Sequence, residues 1–138
     1  MNERMPFTLH PTLARDTAEV VRLPLCRVLL MNDRRFPWLI LVPEREGVRE
    51  IHDLAAEDRA VLIEEIAQAS EALARLVRPD KMNVGALGNV VPQLHIHVVA
   101  RFAADPAWPG PVWGSGAAVP HAEDELEEMR GRIRLLLP

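Results

Sequence analysis

The sequence predicts an α+β protein, an antiparallel sheet with one long helix packed on it. Three observations carry this. Polar and apolar residues alternate with a period of two over 93–99, the mark of a strand with two different faces, and the strand is expected over 94–100. In residues 55–77, Leu62, Ile66, Leu73 and Leu76 or Val77 recur at three-and-four spacing, with Ala69 in the gap, so a helix with one apolar stripe is expected. Two apolar runs, 25–31 and 38–42, flank the turn cluster Asn32-Asp33-Arg34-Arg35 and read as an antiparallel hairpin. Paired strands, then a long helix, then more strands imply helices segregated from an antiparallel sheet.

Along the chain, residues 12–20 are expected as a short helix, with Thr12 as its cap. The strand at 25–31 contains Cys26, which reads as a buried thiol. Pro37 stands at the entry of the 38–42 strand, where proline is tolerated, and Pro43 ends it. The long helix opens with Glu57 and Asp58, which suit the positive end of the helix dipole. Arg78-Pro79-Asp80 stops it. Residues 82–87 read as a strand, Gly88-Asn89 as a turn and 101–116, rich in Pro, Gly and Trp, as an ordered loop. A second helix over 122–137 has acids at its front, arginines at its end, and one apolar face of Leu126, Met129, Ile133 and Leu137.

The chain of 138 residues is expected to form one domain with a core that needs no staples. A net charge of −4 leaves no basic footprint for nucleic acid. The single cysteine excludes an internal disulfide and a multi-cysteine zinc site. No run approaches the ~20 apolar residues of a membrane span, and residues 1–10 lack an apolar signal core, so a cytoplasmic location is expected.

Chemistry concentrates in Gln93-Leu94-His95-Ile96-His97-Val98-Val99. Gln93, His95 and His97 share one face, with the imidazoles about 6–7 Å apart along the strand. Imidazole acts as base, nucleophile or metal ligand near neutrality. Two uses stand open. The pair could chelate a metal, which needs a third ligand; His10, His52, His121 and the carboxylates show no diagnostic spacing. Alternatively one imidazole attacks phosphorus, forming a phosphoramidate that water cleaves. Gly85-Ala86-Leu87-Gly88-Asn89, just before the strand, could then offer backbone N–H groups to phosphate oxygens.

This stretch resembles the histidine-triad motif, His-φ-His-φ-His-φ-φ with φ apolar. Leu30-Met31-Asn32, the strand at 38–43 and Ile51-His52-Asp53-Leu54 are similar to the family in order and spacing, and Gly88-Asn89 stands where Gly-Gln is common. The likeness covers about residues 25–101; Pro106 to Trp113 resembles a subset of bacterial members. The resemblance implies a single HIT-like domain over 1–138, with its core at about 25–101 and a C-terminal loop and helix at 102–138. Its fold would be an antiparallel sheet of about five strands, one long helix and a C-terminal helix. It implies a nucleotide hydrolase or transferase acting at the α-phosphate of a dinucleoside polyphosphate or nucleoside phosphoramidate, through a nucleotidyl-histidine intermediate. His95 matches the nucleophile, and His97 the residue that contacts phosphate oxygens and helps the leaving group. Asn89, beside Gly88, matches a phosphate contact and Asn32 a position near the ribose.

Gln93 replaces the first histidine. Its backbone carbonyl can still orient the central imidazole, and its amide can donate to a phosphate oxygen. Restoring histidine at 93 is expected to raise turnover on a nucleoside phosphoramidate. The resemblance implies no cofactor, no metal on these histidines, a nucleotide-type small molecule as partner, neither nucleic acid nor membrane, and a homodimer. Gln93 also keeps open a nucleotide-binding regulatory module with little turnover, and an HxH metalloenzyme is a third reading. His52 is expected to be structural, and His10 and His121 to lie on the surface. Trp108 and Trp113 either pack the loop on the sheet, are buried in a dimer, or stack on a base or border a leaving-group pocket.

Overall fold

The computed structural model describes residues 6–138. In chain order its elements are α1 (Pro11–Asp16), β1 (Thr17–Arg22), β2 (Cys26–Met31), β3 (Trp38–Pro43), a single 3-10 turn (Ile51–Asp53), α2 (Ala56–Val77), β4 (Lys81–Gly85), β5 (Ile96–Arg101) and α3 (Glu123–Leu136). The five strands form one sheet in the order β1-β2-β3-β5-β4, every neighbouring pair antiparallel. This is the expected α+β architecture. Among the described residues no helix is long and apolar enough to cross a membrane.

The sheet has an apolar core on both faces. On one, Val28, Leu30, Leu39, Leu41, Ile96 and Val98 pack with Leu62, Ala69 and Leu73 of α2 and Ile133 of α3. On the other, Leu29, Trp38, Ile40 and Val99 pack with Leu13, Phe36, Val91 and Val112. Burying each large aliphatic side chain contributes about 1.5–3 kcal/mol. The central β3 is therefore buried along its length, and so is β5 beside it.

One charged residue interrupts the stripe of α2. Glu65 is buried, and its carboxylate accepts from the backbone N–H groups of Leu25 (2.9 Å) and Cys26 (2.7 Å) where β2 begins. Cys26 is fully buried; desolvation first, and Glu65 second, push its thiol far above the ordinary range. That matches the expected buried thiol.

Two departures from the sequence reading shape the fold. Residues 12–20 are not one helix: α1 stops at Asp16 and Thr17 opens β1. Thr17, Val20 and Val21 are β-branched, and pairing with β2 (Thr17 opposite Met31) outweighs a weak local helix preference. The cap is also His10 rather than Thr12; its Nδ1 accepts from Thr12 N at 3.1 Å. β1 is an edge strand with a register shift between Glu19 and Val21. There Arg130 and Arg134 of α3 donate to the carbonyls of Glu19 and Val20 (2.8 and 3.0 Å), covering an edge that would otherwise invite pairing.

The second departure concerns the motif. β5 begins at Ile96, so Gln93, Leu94 and His95 precede it. Its last partner on β3 is Leu41. Beyond that β3 reaches Pro43, which has no N–H to donate to a neighbour. Leu94 N turns instead to Val48 O at 3.0 Å.

The loop after β5 is held by one buried pair. Arg101 donates to Asp105 through Nε (2.8 Å) and Nη2 (3.1 Å), to Asn83 Oδ1 (2.8 Å) and to Gly110 O (2.7 Å). Asp105 also accepts from the backbone N–H groups of Phe102, Ala107 and Trp108. The turn after β2 anchors the next stretch. Asp33 accepts from Arg35 and Val119 N, and Arg35 reaches the carbonyls of Ser115 and Gly116.

Candidate active site

His95 and His97 are both buried, at 6% and 7% exposure, with ring centroids 4.9 Å apart. The walls around the two rings keep them from solvent.

His95 Nδ1 lies 2.7 Å from the backbone oxygen of Gln93. A carbonyl can only accept, so Nδ1 carries the proton and Nε2 holds the lone pair. The imidazole lines a cleft together with Arg49, Glu50, Ile51, His52, Leu87 and Gly88. Gly88 sits at φ +73°, a left-handed conformation that costs glycine nothing and strains other residues. It puts the turn before the motif on the wall of this cleft.

His97 is locked in the opposite sense. Trp38 Nε1 donates to its Nδ1 at 3.0 Å. The indole N–H cannot accept, so His97 keeps its proton on Nε2. The rings of Trp38 and Trp113 stand 5.6 and 5.3 Å from it, Trp113 edge-on at 73°. Gly85 pairs with His97 across β4 and β5. A Cβ there would meet the Trp113 ring at 3.1 Å, so glycine is what lets the indole close over this corner.

Burial first, and the neighbouring His95 second, push the His97 pKa down to about 4. The folded protein therefore binds this proton less well than the unfolded chain, whose histidine titrates near 6.5. Stability is expected to be fully present above pH 6.5 and to fall by about 3 kcal/mol as pH drops to about 4. Urea denaturation across this range should show the loss in the wild type and a flatter profile in His97→Asn.

Gln93 turns its side chain away from this chemistry. Its Oε1 accepts from His10 N and its Nε2 donates to Thr8 O, both at 2.9 Å. A role as phosphate donor was expected for the amide, but its oxygen and one N–H are spent on the N-terminal segment. Its backbone carbonyl is the group that His95 Nδ1 meets at 2.7 Å. Gln93→Ala removes both bonds, a loss of about 1–3 kcal/mol at roughly 0.5–1.5 each. Faster hydrogen exchange and proteolysis are expected around residues 8–12, with the sheet unchanged.

The other expected site residues divide. Gly88 lines the His95 cleft, and Asn89 is exposed next to it. Asn32 is not brought there. Leu29, Ile40 and His97 form one row across β2, β3 and β5, and Asn32 stands three residues further on, about 10 Å along the strands. Its Oδ1 accepts from His121 N at 2.8 Å, and it lines a separate cleft with Arg15, Asp16 and Pro120. His52, expected to be structural, is exposed at the rim of the His95 cleft. His10 is half-buried as a helix cap rather than a plain surface residue. Trp108 rests on the Arg101 guanidinium, 5.8 Å from its ring centre, and Trp113 packs on the sheet. Among the described residues no group of three or more His, Cys, Asp or Glu is placed to hold a metal ion.

Trp38, Arg101 and Asp105 escaped the sequence reading as site or supporting residues. Trp38 reads as core from its apolar neighbours. Arg101 ends a strand of valines, and a charge there is the one signal that could have flagged a buried partner.

A family model described as the HIT domain matches residues 13–104. Among solved structures, a histidine triad protein from Sinorhizobium meliloti 1021 is 46% identical, covers 98% of this chain and 100% of its own, and superposes with a TM-score of 0.94. One from Bradyrhizobium japonicum is 42% identical, with coverage of 96% and 98% and a TM-score of 0.93. One from Marinobacter aquaeolei VT8 is 48% identical, with coverage of 95% and 96% and a TM-score of 0.92. No curated protein matches.

Proposed function

This chain belongs to the histidine triad family, a family of nucleotide-binding, hydrolase-type proteins, and from that premise we propose that it cleaves nucleotide derivatives at the α-phosphate. His95 Nε2 attacks the α-phosphorus. The bond to the leaving group breaks, and the nucleotide stays on the imidazole until water displaces it. The observation that carries this reading is the bond from His95 Nδ1 to the Gln93 carbonyl at 2.7 Å. It holds the ring with its basic nitrogen at Nε2, and it stabilises the positive charge that the ring acquires on attack. His97, through Nε2–H, donates to a phosphate oxygen, and the Gly88–Asn89 turn supplies further donors.

The test is to trap the intermediate. Mixing with a nucleotidyl ester and quenching in denaturant should leave one nucleotide attached to the protein, and peptide mass spectrometry should place it on His95. A label on another residue, or hydrolysis with no covalent species in single-turnover experiments, overturns the reading.

We also propose that two copies pair. β4 is the edge strand beside the site, and Val84, Leu87 and Val90 near it are exposed. A strand edge with apolar neighbours suits addition of a second copy.

A further inference from the structure

We infer that this site selects its substrates by the leaving group. It takes nucleotidyl anhydrides, in which a phosphate departs as a stable anion, and turns over poorly those phosphoramidates and alkyl or phenyl esters whose leaving group needs a proton as it goes. The inference rests on His95 acting as nucleophile, as proposed above, and deepens it by naming the substrate class.

When His95 Nε2 bonds to the α-phosphorus, the bond to the leaving atom breaks and its electron pair stays on that atom. If the atom is an anhydride oxygen, the product is a phosphate anion and no proton is required. If it is an amine nitrogen or a basic oxygen, a general acid must supply one in the transition state.

The motif holds no such acid. The Nδ1 proton of His95 is bound to the Gln93 carbonyl and lies on the far side of the ring from the attacking nitrogen. Gln93 cannot titrate, and its amide is engaged with Thr8 and His10. His97 carries a proton on Nε2, but a neutral imidazole donates a hydrogen bond without giving the proton up. To become an acid it must first be protonated at Nδ1, and that nitrogen faces the Trp38 N–H at 3.0 Å. Two N–H donors would then point at each other. Among the described residues, the rings against His97 are those of Trp38, Trp113 and His95, and its partners across the strands are Gly85 and Ile40. None is an anion that would hold an imidazolium. Burial acts in the same direction. Glu50 and His52, the other titratable side chains with carboxyl or imidazole groups on the cleft, are exposed at its rim.

The experiment compares one nucleotidyl group on several leaving groups: adenosine 5′-phosphate joined to a nucleoside diphosphate, to p-nitrophenol, to phenol and to a primary amine. Anhydride and p-nitrophenyl ester are expected to turn over. For phenyl ester and phosphoramidate, kcat/KM is expected to be lower by about 10²–10⁴-fold, the contribution of a general acid. His52→Asn should leave these ratios unchanged. Trp38→Phe removes the opposing donor, and in the folded variant the gap should narrow as pH is lowered. A phosphoramidate cleaved by the wild type within about tenfold of the anhydride overturns the inference while leaving the nucleophile intact. So does a small gap that His52→Asn widens, because His52 is then the acid. If no member of the series is cleaved, the hydrolase reading itself falls and takes the inference with it.

Discussion

His95→Ala is expected to lower turnover of a nucleotidyl anhydride by roughly 10⁴-fold or more, the scale of losing a covalent nucleophile. The variant loses the lone pair at Nε2 and with it the two-step route. The Gln93 carbonyl, which held Nδ1 at 2.7 Å, loses a partner that the fold does not need for its core. The accompanying change in stability is therefore expected to be small beside the kinetic effect, and urea denaturation measures the two apart. Free imidazole added to the variant should restore part of the activity. His97→Asn removes a donor instead of the nucleophile, so a smaller loss is expected, on the order of 10²–10³ in kcat. Its covalent intermediate should still form on His95. If His95→Ala retained activity within tenfold of the wild type in single-turnover assays, His95 would not be the nucleophile.

Asp105→Ala is expected to cost about 3–5 kcal/mol of stability, because it leaves a buried guanidinium without its carboxylate. The side chains of Arg101 and Asp105 are 1% and 4% exposed, so solvent cannot stand in for the missing partner. Asp105 is also the acceptor for three backbone N–H groups of the loop. Loosening that loop should reach Trp113, which closes over His97, and kcat is expected to fall with little change in KM. Asp105→Asn keeps the shape and one acceptor, and it should lose less. Calorimetry and steady-state kinetics on the two variants test this together. A melting temperature for Asp105→Ala within a degree or two of the wild type would show that the pair does not hold the loop.

The same carboxylate gives the acid limb of the stability curve. The Arg101 guanidinium, above all, holds Asp105 well below the usual carboxylate range. A depressed acid contributes stability that is present above its unfolded pKa of about 3.9 and is lost as pH falls toward its folded value. His97 acts at higher pH. Stability should thus erode in two stages on acidification, first through His97 and then, below about pH 4, through Asp105. His97→Asn should remove the first stage and keep the second.

Much of the architecture is legible in the order of residues because it follows from local periodicity. The two-residue alternation of the motif strand, the stripe Leu62-Ile66-Ala69-Leu73 and the turn Asn32-Asp33-Arg34-Arg35 each specify an element whichever neighbours it meets. The stretch at 12–20 shows the limit. Its helix preference is weak, and only the presence of β2 alongside makes Thr17–Arg22 a strand. The motif behaves likewise. Its pattern continues through Gln93, but the ladder stops where β3 runs into Pro43, two strand positions past Leu41.

The sequence by itself determined the α+β class, the long helix, the paired imidazoles and the likeness to the histidine triad family. These depend on residue type and spacing along one chain. Only the tertiary structure decided which nitrogen of each imidazole carries the proton, where the Gln93 amide goes and why Asn32 stands apart from the His95 cleft. The physical reason is that hydrogen bonds and burial are set between residues distant in sequence. Trp38 meets His97 across 59 positions, and Gln93 meets His10 across 83. Such partners leave no periodic trace in the chain, yet they are what turn two histidines on a strand into one nucleophile and one neutral donor.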